Sequence, residues 1–366
     1  MAKWPYLVLS DIHAHAWSAY STRLPDGMNS RLKVILDEIV RAADELQSAG
    51  GDTIYIAGDF LHTRGSMDPE VFNPLHKTIE NLAFDNAIRG IPGNHDLKDR
   101  DTTELGNAIQ TLAAIDNVEI ITNRSGMFFP DHSVLMIPWH GSKDTLRATI
   151  KELHDAHGGP AAGPAAMGVM DLIIHVGIDG VLQGVPDHGL SPEEVASWGF
   201  RRVFAGDYHN HKVMEDGKVI SIGATTHQQW GDIDTKAGFL LVYEDRVEWR
   251  ASHAPSFVEI TGEDSEDDIP LIVDGNYVRV RGMKLTDAEI NKLRGELMEM
   301  GAKGVTFQVT RETVSVRGTT TVSKGTTLDQ SVDTFIDQKK DIDPDLLPLV
   351  KAGAAQILTD VRSVTS

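Results

Sequence analysis

Five short stretches of this chain gather the residue types that bind divalent cations. They are Asp11-Ile12-His13, Gly58-Asp59, Gly93-Asn94-His95-Asp96, His175, and Gly206-Asp207-Tyr208-His209-Asn210-His211. Carboxylate, amide oxygen and imidazole suit manganese, iron or zinc. A carboxylate has two oxygens and several lone pairs, so it can bridge two ions. Asp59 stands alone in its turn and is the bridging candidate. Residues two apart in an extended segment point the same way. On that rule Asp11 pairs with His13, and His209 with His211. Glycines beside Asp59, Asn94 and Asp207 permit positive φ and close backbone approach. Each stretch alone is a weak signal, since a lone histidine such as His175 more often serves structure. Gly-Asn-His-Asp is stronger, because four specified polar residues in one turn rarely serve packing. All five in this order are not what packing alone produces.

The elements around these stretches explain how they could meet. Residues 6–10 (YLVLS) form a continuous apolar run that ends in Asp11, the pattern of a buried strand. Residues 31–46 place Leu32, Ile35, Leu36, Ile39, Ala43 and Leu46 at helical spacing, and Gly50-Gly51 stops that helix. Residues 53–57 read as a second strand, 69–83 as a helix opening at Pro69, and 87–91 as a strand leading into Gly93. A helix is expected over 103–115, with strands at 118–121, 134–138, 171–175 and 201–207. Short β-like runs follow to residue 250. This alternation predicts an α/β layered fold, and in such sheets ligands bind at the carboxyl ends of strands. Residues 158–168 read as an exposed Pro/Gly-rich loop, and 14–29 as a long loop after the first motif. A β-α-β unit is expected over 277–309, its helix opened by a capping box from Thr286 to Glu289.

The chain has 366 residues, which predicts two domains or one large domain with an appendage. There are no cysteines, so disulfides, thiolate metal sites and a cysteine nucleophile are excluded. The first residues show no signal-peptide pattern and no apolar run approaches about 18 residues, so no membrane span and a cytoplasmic location are expected. The formal net charge of −20 speaks against holding nucleic acid by global charge. A local basic path, a metal-neutralised site or a basic partner stays compatible with it.

The order D-x-H, GD, GNHD, H, then H-x-H resembles the calcineurin-like metallophosphoesterases over residues 5–260. The resemblance implies a four-layer α-β-β-α β-sandwich with two metal ions at strand ends and hydrolysis of phosphoesters. It implies Asp11, His13, Asp59 and His211 on the first ion, and Asp59, Asn94, His175 and His209 on the second. His95 would contact the scissile phosphate and handle the leaving-group proton, and Asp96 would orient its ring. The Gly206–His211 stretch departs from the usual G-H-x-H. It is read here with His209 and His211 as the pair and Asp207 as an insertion-like difference.

Residues 58–74 (GDFLHTRGSMDPEVFNP) and 223–232 (GATTHQQWGD) are similar to SbcD-like DNA double-strand-break repair nucleases, particularly bacteriophage versions. That branch implies a nuclease domain over 1–260, a small α+β capping domain over 271–314, and a linker and helical tail over 315–366. It also implies manganese, a homodimer, 3′→5′ exonuclease with single-strand endonuclease activity, and an SMC-like ATPase partner. The location would be the host cytoplasm if the chain is phage-encoded. Arg64, Lys98 and Arg100 follow two of the metal-binding turns and are the local candidates for DNA contact. Phe335, Ile336, Leu346, Leu347, Leu349 and Val350 are the tail residues expected to meet the ATPase. Two other readings use the same residues: a phosphatase or phosphodiesterase on a small or protein substrate, and a non-catalytic scaffold. The intact set of site residues speaks against the scaffold.

Overall fold

Alternation along the first strand sets the layering. In β1 (Tyr6–Leu9), Tyr6 and Val8 face one side and Leu7 and Leu9 the other, and all four are buried. A strand buried on both faces needs a layer on each. The computed structural model describes residues 3–99, 102, 106–156, 168–182, 184, 188–311, 327–339, 343 and 346–364. After β1 come β2 (Thr53–Ile56), β3 (Ala87–Gly90), β4 (Val118–Ile120), β5 (Met127–Phe129), β6 (Val134–Ile137), β7 (Asp171–His175) and β8 (Arg202–Gly206). Then follow β9 (Lys212–Met214), β10 (Val219–Ser221), β11 (Gly238–Val242), β12 (Val247–Ala251), β13 (Phe257–Ile260), β14 (Tyr277–Leu285) and β15 (Gly304–Arg311).

Two six-stranded sheets result, ordered β12-β11-β1-β2-β3-β4 and β5-β6-β7-β8-β10-β9. Tyr6, Val8 and Tyr55 of the first sheet meet Met136, Ile173 and Phe204 of the second in one apolar layer. On the far face of the first sheet, Leu7, Leu9 and Ile56 pack on α1 (Ser30–Ser48) and α2 (Pro69–Leu82). On the far face of the second, Leu172, Ile174 and Val203 pack on α3 (Lys143–Ala156) and α4 (Pro192–Ser197). The fold is therefore the four-layer α-β-β-α sandwich. Its helix starts are coded locally: Asn29 caps α1 by accepting from the Arg31 and Leu32 N–H groups, and Asp68 caps α2.

Two expectations fail here. Among the described residues of 103–115 the chain forms a bridge at Asn107 and a 3₁₀ turn over Gln110–Ala114, not a helix. The unanticipated α3 carries Leu146 and Ile150 at i, i+4, a helical signal too sparse to stand out. Most of the loop expected over 158–168 lies outside the described residues.

A third sheet has the order β13-β14-β15, all parallel, with α6 (Asp287–Glu299) crossing from β14 to β15. The short α5 (Ile269–Val273) precedes β14. The Thr286–Glu289 capping box is formed at the start of α6. β13 belongs to this sheet, although the sequence groups its residues with the preceding domain. Arg31 of α1 ties the sheet to the first motif's loop. Its guanidinium lies 5.1 Å from the Trp17 ring and 5.2 Å from the rings of Phe257 and Tyr277, and donates to the Gln228 carbonyl at 2.7 Å. Tyr20 stacks on Tyr277 at 5.3 Å. Residues 14–29 are thus held against folded structure by cation–aromatic contacts.

Residues 312–366 form a separate unit, described over α7 (Leu328–Asp337) and α8 (Leu347–Val364). Phe335, Leu346, Leu349, Val350 and Ile357 are exposed, Leu347 is half-buried and Ile336 is buried. The sequence expectation counted Ile336 among the surface contacts, and its burial removes it from that set. The linker expected at 315–327 lies almost wholly outside the described residues. No helix among the described residues is long and apolar enough to cross a membrane.

The sheets are also joined by charge. Asp171 opens β7, is fully buried, and accepts paired hydrogen bonds from both Arg201 and Arg202 at 2.7 to 2.9 Å. Tyr6 of the other sheet donates its hydroxyl to the same carboxylate at 2.6 Å. Burial would raise the Asp171 carboxyl, but the two guanidinium groups outweigh it and hold it below the usual carboxylate range. Asp171→Asn leaves two arginines poorly compensated and is expected to cost about 3–5 kcal/mol. A depressed carboxylate stabilises above its unfolded pKa near ~3.9 and loses that stabilisation as the pH falls through its folded value. Urea unfolding should therefore show a wild-type advantage that is constant above about pH 5 and shrinks below about pH 4.

Candidate metal centre

The carboxyl ends of β1, β2, β7 and β8 bring the motifs together. Asp11 and His13 follow β1, Asp59 follows β2, His175 ends β7, and Asp207 and His209 follow β8. Asn94 and His95 come from the turn after β3. Asp59 Oδ2 lies 3.5 Å from His175 Nε2 and 3.6 Å from His13 Nε2. His13 Nε2 is 3.2 Å from His209 Nε2. Asp11, Asp59 and His175 can bring one ligand atom each within 4.8 Å of one another, and so can Asp11, His13 and His209.

The backbone explains the convergence. Asp11 (φ 50°), His13 (φ 47°), Asp59 (φ 53°) and Asp207 (φ 92°) are all left-handed. Non-glycine residues rarely adopt that region, and such strain collects at functional sites. Asp11 and His13 therefore share a direction through a tight turn, not through an extended segment. Gly93 is needed for close approach, since a Cβ there would sit 2.2 Å from Asp59 Oδ1. Asp59 Oδ1 accepts instead from the His95 N–H at 2.9 Å.

The donor set fits divalent cations. Asp11 Oδ1, Asn94 Oδ1 and His175 Nε2 are buried without a hydrogen-bond partner. Buried polar atoms are normally paired, and Asp11 and His175 can each bring a ligand atom close to Asp59, so these orphans are what cation ligands look like without the ion. Their partners fix the ring orientations. His175 donates Nδ1–H to the Ala57 carbonyl at 2.7 Å, which turns Nε2 inward. His209 donates Nδ1–H to Asp232 Oδ1 at 2.8 Å. Asp232 in turn accepts from the Gln228 and Gln229 N–H groups at 2.7 and 2.9 Å. Such a carboxylate behind a histidine sets its tautomer.

The electrostatics follow the same geometry. Burial pushes the Asp11 carboxyl up to about 6, and the nearby histidines only partly oppose it. Burial pushes His13 down to about 3, leaving the ring neutral. Burial would also lower His209, but Asp232 and Asp11 outweigh it and raise the ring to about 9. Burial would raise Asp59, but His175 and His13 hold it well below the usual range. Asp59 is thus the ionised centre of the cluster.

Three sequence expectations need correction. His211 is not in the cluster: its ring stacks on Trp249 at 5.5 Å and its Nδ1 bonds the Ser221 carbonyl at 2.9 Å. The turn after Gly206 is not extended, so the two-residue rule does not carry His211 inward. His209 approaches Asp11 and His13 instead, and Asp207 reaches to 3.8 Å from His175 Nε2. Asp207 is thus no insertion, but stands where the first histidine of the pattern was expected. Third, Asp96 does not orient the His95 ring. It is fully buried and accepts from the N–H groups of Phe60, Leu61 and Gly93, holding the two motif turns together. The His62 carbonyl takes the His95 Nδ1–H at 2.5 Å.

Sequence reasoning missed His62 and Asp232, although both lie in stretches noted for their family likeness. The His62 ring stacks on His95 at 5.6 Å, and a ring nitrogen can come near those of His13 and His95. Arg64 and Lys98 are exposed, and a Cβ on Gly65 would lie 3.6 Å from Lys98 Cγ, so the two basic segments adjoin. Arg100 lies outside the described residues.

Residues 5–135 match the calcineurin-like phosphoesterase family. That segment, about a third of the chain, holds Asp11, His13, Asp59, Asn94 and His95. No curated protein sequence matches the chain. Among solved structures it is similar to the crystal structure of a dimetal phosphatase from Danio rerio. That likeness has 10% sequence identity and a TM-score of 0.40, and covers 68% of this chain and 96% of the other.

Asp232→Ala frees the His209 ring and is expected to weaken divalent-cation affinity by roughly 10–100-fold. His211→Ala should leave it unchanged. Isothermal titration of the chelator-stripped chain with manganese checks both.

Proposed function

We propose that this chain is a two-metal phosphodiesterase acting on DNA, the nuclease subunit of a double-strand-break repair or recombination complex. The observation that carries the phosphoesterase part is the pair of buried, unpartnered atoms Asp11 Oδ1 and His175 Nε2 on residues that converge on the ionised Asp59. Asp11, His13 and His209 would hold one ion, and Asn94 and His175 the other, with Asp59 shared between them. When bound, divalent cations neutralise charge growing on the phosphoryl oxygens and lower the pKa of water toward neutrality. The rest falls to this chain's residues. His95 has its Nδ1–H fixed by the His62 carbonyl, so Nε2 is the ring nitrogen that would meet the leaving oxygen and, when the ring is an imidazolium, give up its Nε2 proton to it, leaving the neutral Nδ1–H tautomer. Asp59 keeps the His95 backbone in register by accepting its N–H.

Support for DNA as substrate comes from the 58–74 and 223–232 stretches and from the third sheet held beside the first-motif loop through Arg31. Arg64 and Lys98 would meet the phosphate backbone near the site. The exposed apolar residues Phe335, Leu346, Leu349 and Val350 support a docking role for the tail on an SMC-like ATPase. That partner would supply the positive surface that a chain of net charge −20 lacks. Manganese, the 3′→5′ exonuclease and single-strand endonuclease activities, and a homodimer belong to the same reading.

Purified chain with manganese is expected to degrade end-labelled linear double-stranded DNA and to hydrolyse a small chromogenic phosphodiester. His95→Ala should lose both activities and keep its metal. Arg64→Ala and Lys98→Ala should slow DNA cleavage and spare the small ester. Turnover of the small ester with DNA untouched, even with the cognate ATPase present, would favour a phosphatase or small-substrate phosphodiesterase instead.

A further inference from the structure

We infer that Asp207 is a ligand of the cation held by Asp59, Asn94 and His175, and that its carboxylate tilts that position toward oxygen-preferring cations such as manganese and away from zinc. The inference rests on the two-cation reading above and deepens it. Three independent observations meet at this residue.

The first is position. Asp207 Oδ1 lies 3.8 Å from His175 Nε2, which is buried without a hydrogen-bond partner and lies 3.5 Å from Asp59 Oδ2. Two carboxylates therefore flank one inward-turned imidazole nitrogen. The Asp207 carboxylate accepts no hydrogen bond from the described residues, so no structural role occupies it.

The second is backbone conformation. Asp207 takes φ 92°, and it shares left-handed backbone with Asp11, His13 and Asp59. Such a conformation costs about 1–3 kcal/mol and persists only where the surroundings enforce it. Here they do. The Asp207 N–H donates to Asp11 Oδ2 at 3.1 Å, and a Cβ on Gly206 would sit 2.2 Å from Ser10 Oγ and 2.8 Å from His175 Nδ1. The chain is pressed past His175 and then turned so that the next side chain enters the cluster.

The third is elimination. His211 of the same turn is engaged with Ser221 and Trp249. His209 is taken by Asp11 and His13. No imidazole remains to complete the position around His175 among the neighbouring residues of this turn.

The chemistry follows from the ligand count. With Asp207 the position offers two carboxylates, one amide oxygen and one imidazole. Carboxylate and carbonyl oxygens suit manganese and magnesium, while added imidazole shifts a site toward zinc. An aspartate also adds a full negative charge where a histidine would add none. Zinc still binds nitrogen and oxygen sites more tightly than manganese in absolute terms, so the quantity that changes is the ratio of the two affinities.

The test titrates the full chain, stripped with chelator, with manganese and with zinc separately. Calorimetry gives stoichiometry and affinity, and electron paramagnetic resonance counts bound manganese. Asp207→Asn keeps the shape and tolerates the left-handed backbone, and Asp207→Gly removes the side chain without strain. Loss of a residue behind a ligand already costs about 10–100-fold in affinity, so both variants should weaken the second manganese at least ~10-fold. Asp207→His should shift the zinc-to-manganese affinity ratio at that position by at least ~10-fold toward zinc. Circular dichroism of each variant in chelator verifies the fold. Two manganese ions bound by the wild type with unchanged affinities in the Asp207 variants would overturn the role of Asp207 and leave the two-cation reading standing. A wild type that binds one ion or none would overturn both.

Discussion

Burying the Asp59 carboxylate costs several kcal/mol unless opposite charge and N–H donors surround it. The structure surrounds it from four directions: His13 after β1, the His95 N–H after β3, His175 at the end of β7, and the Gly93 backbone pressed close enough to exclude any side chain. These groups come from both sheets of the sandwich. The carboxyl edges of the sheets must therefore stay in register for the charge to be tolerated. At the opposite end of β7, Asp171 performs the matching task with Arg201, Arg202 and Tyr6. One strand thus carries a neutralised carboxylate at its start and a candidate ligand histidine at its end, with Leu172, Ile173 and Ile174 filling the layers between.

Much of this was legible in the sequence, and the reasons are local. β1 announces itself because four successive apolar residues require burial on both faces, and Asp11 after them must lie at a strand end. Gly93 and Asn94 are legible because a turn that tight has few other compositions. His211 misled because the alternation rule holds only for extended chain, while the backbone at Asp207 turns left-handed. Left-handed φ at a non-glycine residue leaves no pattern in the sequence. Asp232 and His62 were hidden for another reason: they act through one hydrogen bond or ring contact made across the fold. Asp96 was misassigned because adjacency in sequence suggested a partner for His95, whereas the carboxylate points to three backbone donors. The Arg31 clasp was invisible likewise, since its aromatic partners come from residues 17, 257 and 277.

The net charge of −20 and the chemistry of the centre bear on each other. An acidic chain repels a polyanion at long range, although screening limits that repulsion to about 10 Å at ordinary salt. Inside that distance local charges decide. Cations bound between Asp11, Asp59 and Asp207 would reverse the sign of the potential where a phosphate would arrive on the proposed reading, and Arg64 with Lys98 would extend that sign over the adjoining surface. The same carboxylates that make the chain acidic are then what concentrates positive charge at the site.

The orphaned donors give this locus an energetic signature of its own. A buried polar atom without a partner costs about 1–3 kcal/mol, and Asp11 Oδ1 and His175 Nε2 are two of them within one cluster. Left-handed backbone at four site residues adds to that strain. Ions that engaged those atoms would remove the desolvation penalty, and would bind the folded chain far better than an unfolded one whose donors are scattered. Metal affinity and folding stability are then two readings of one free energy. The strain persists in the folded chain because the apolar layers between the sheets and helices hold the strand ends in place whether or not the ligand atoms are satisfied.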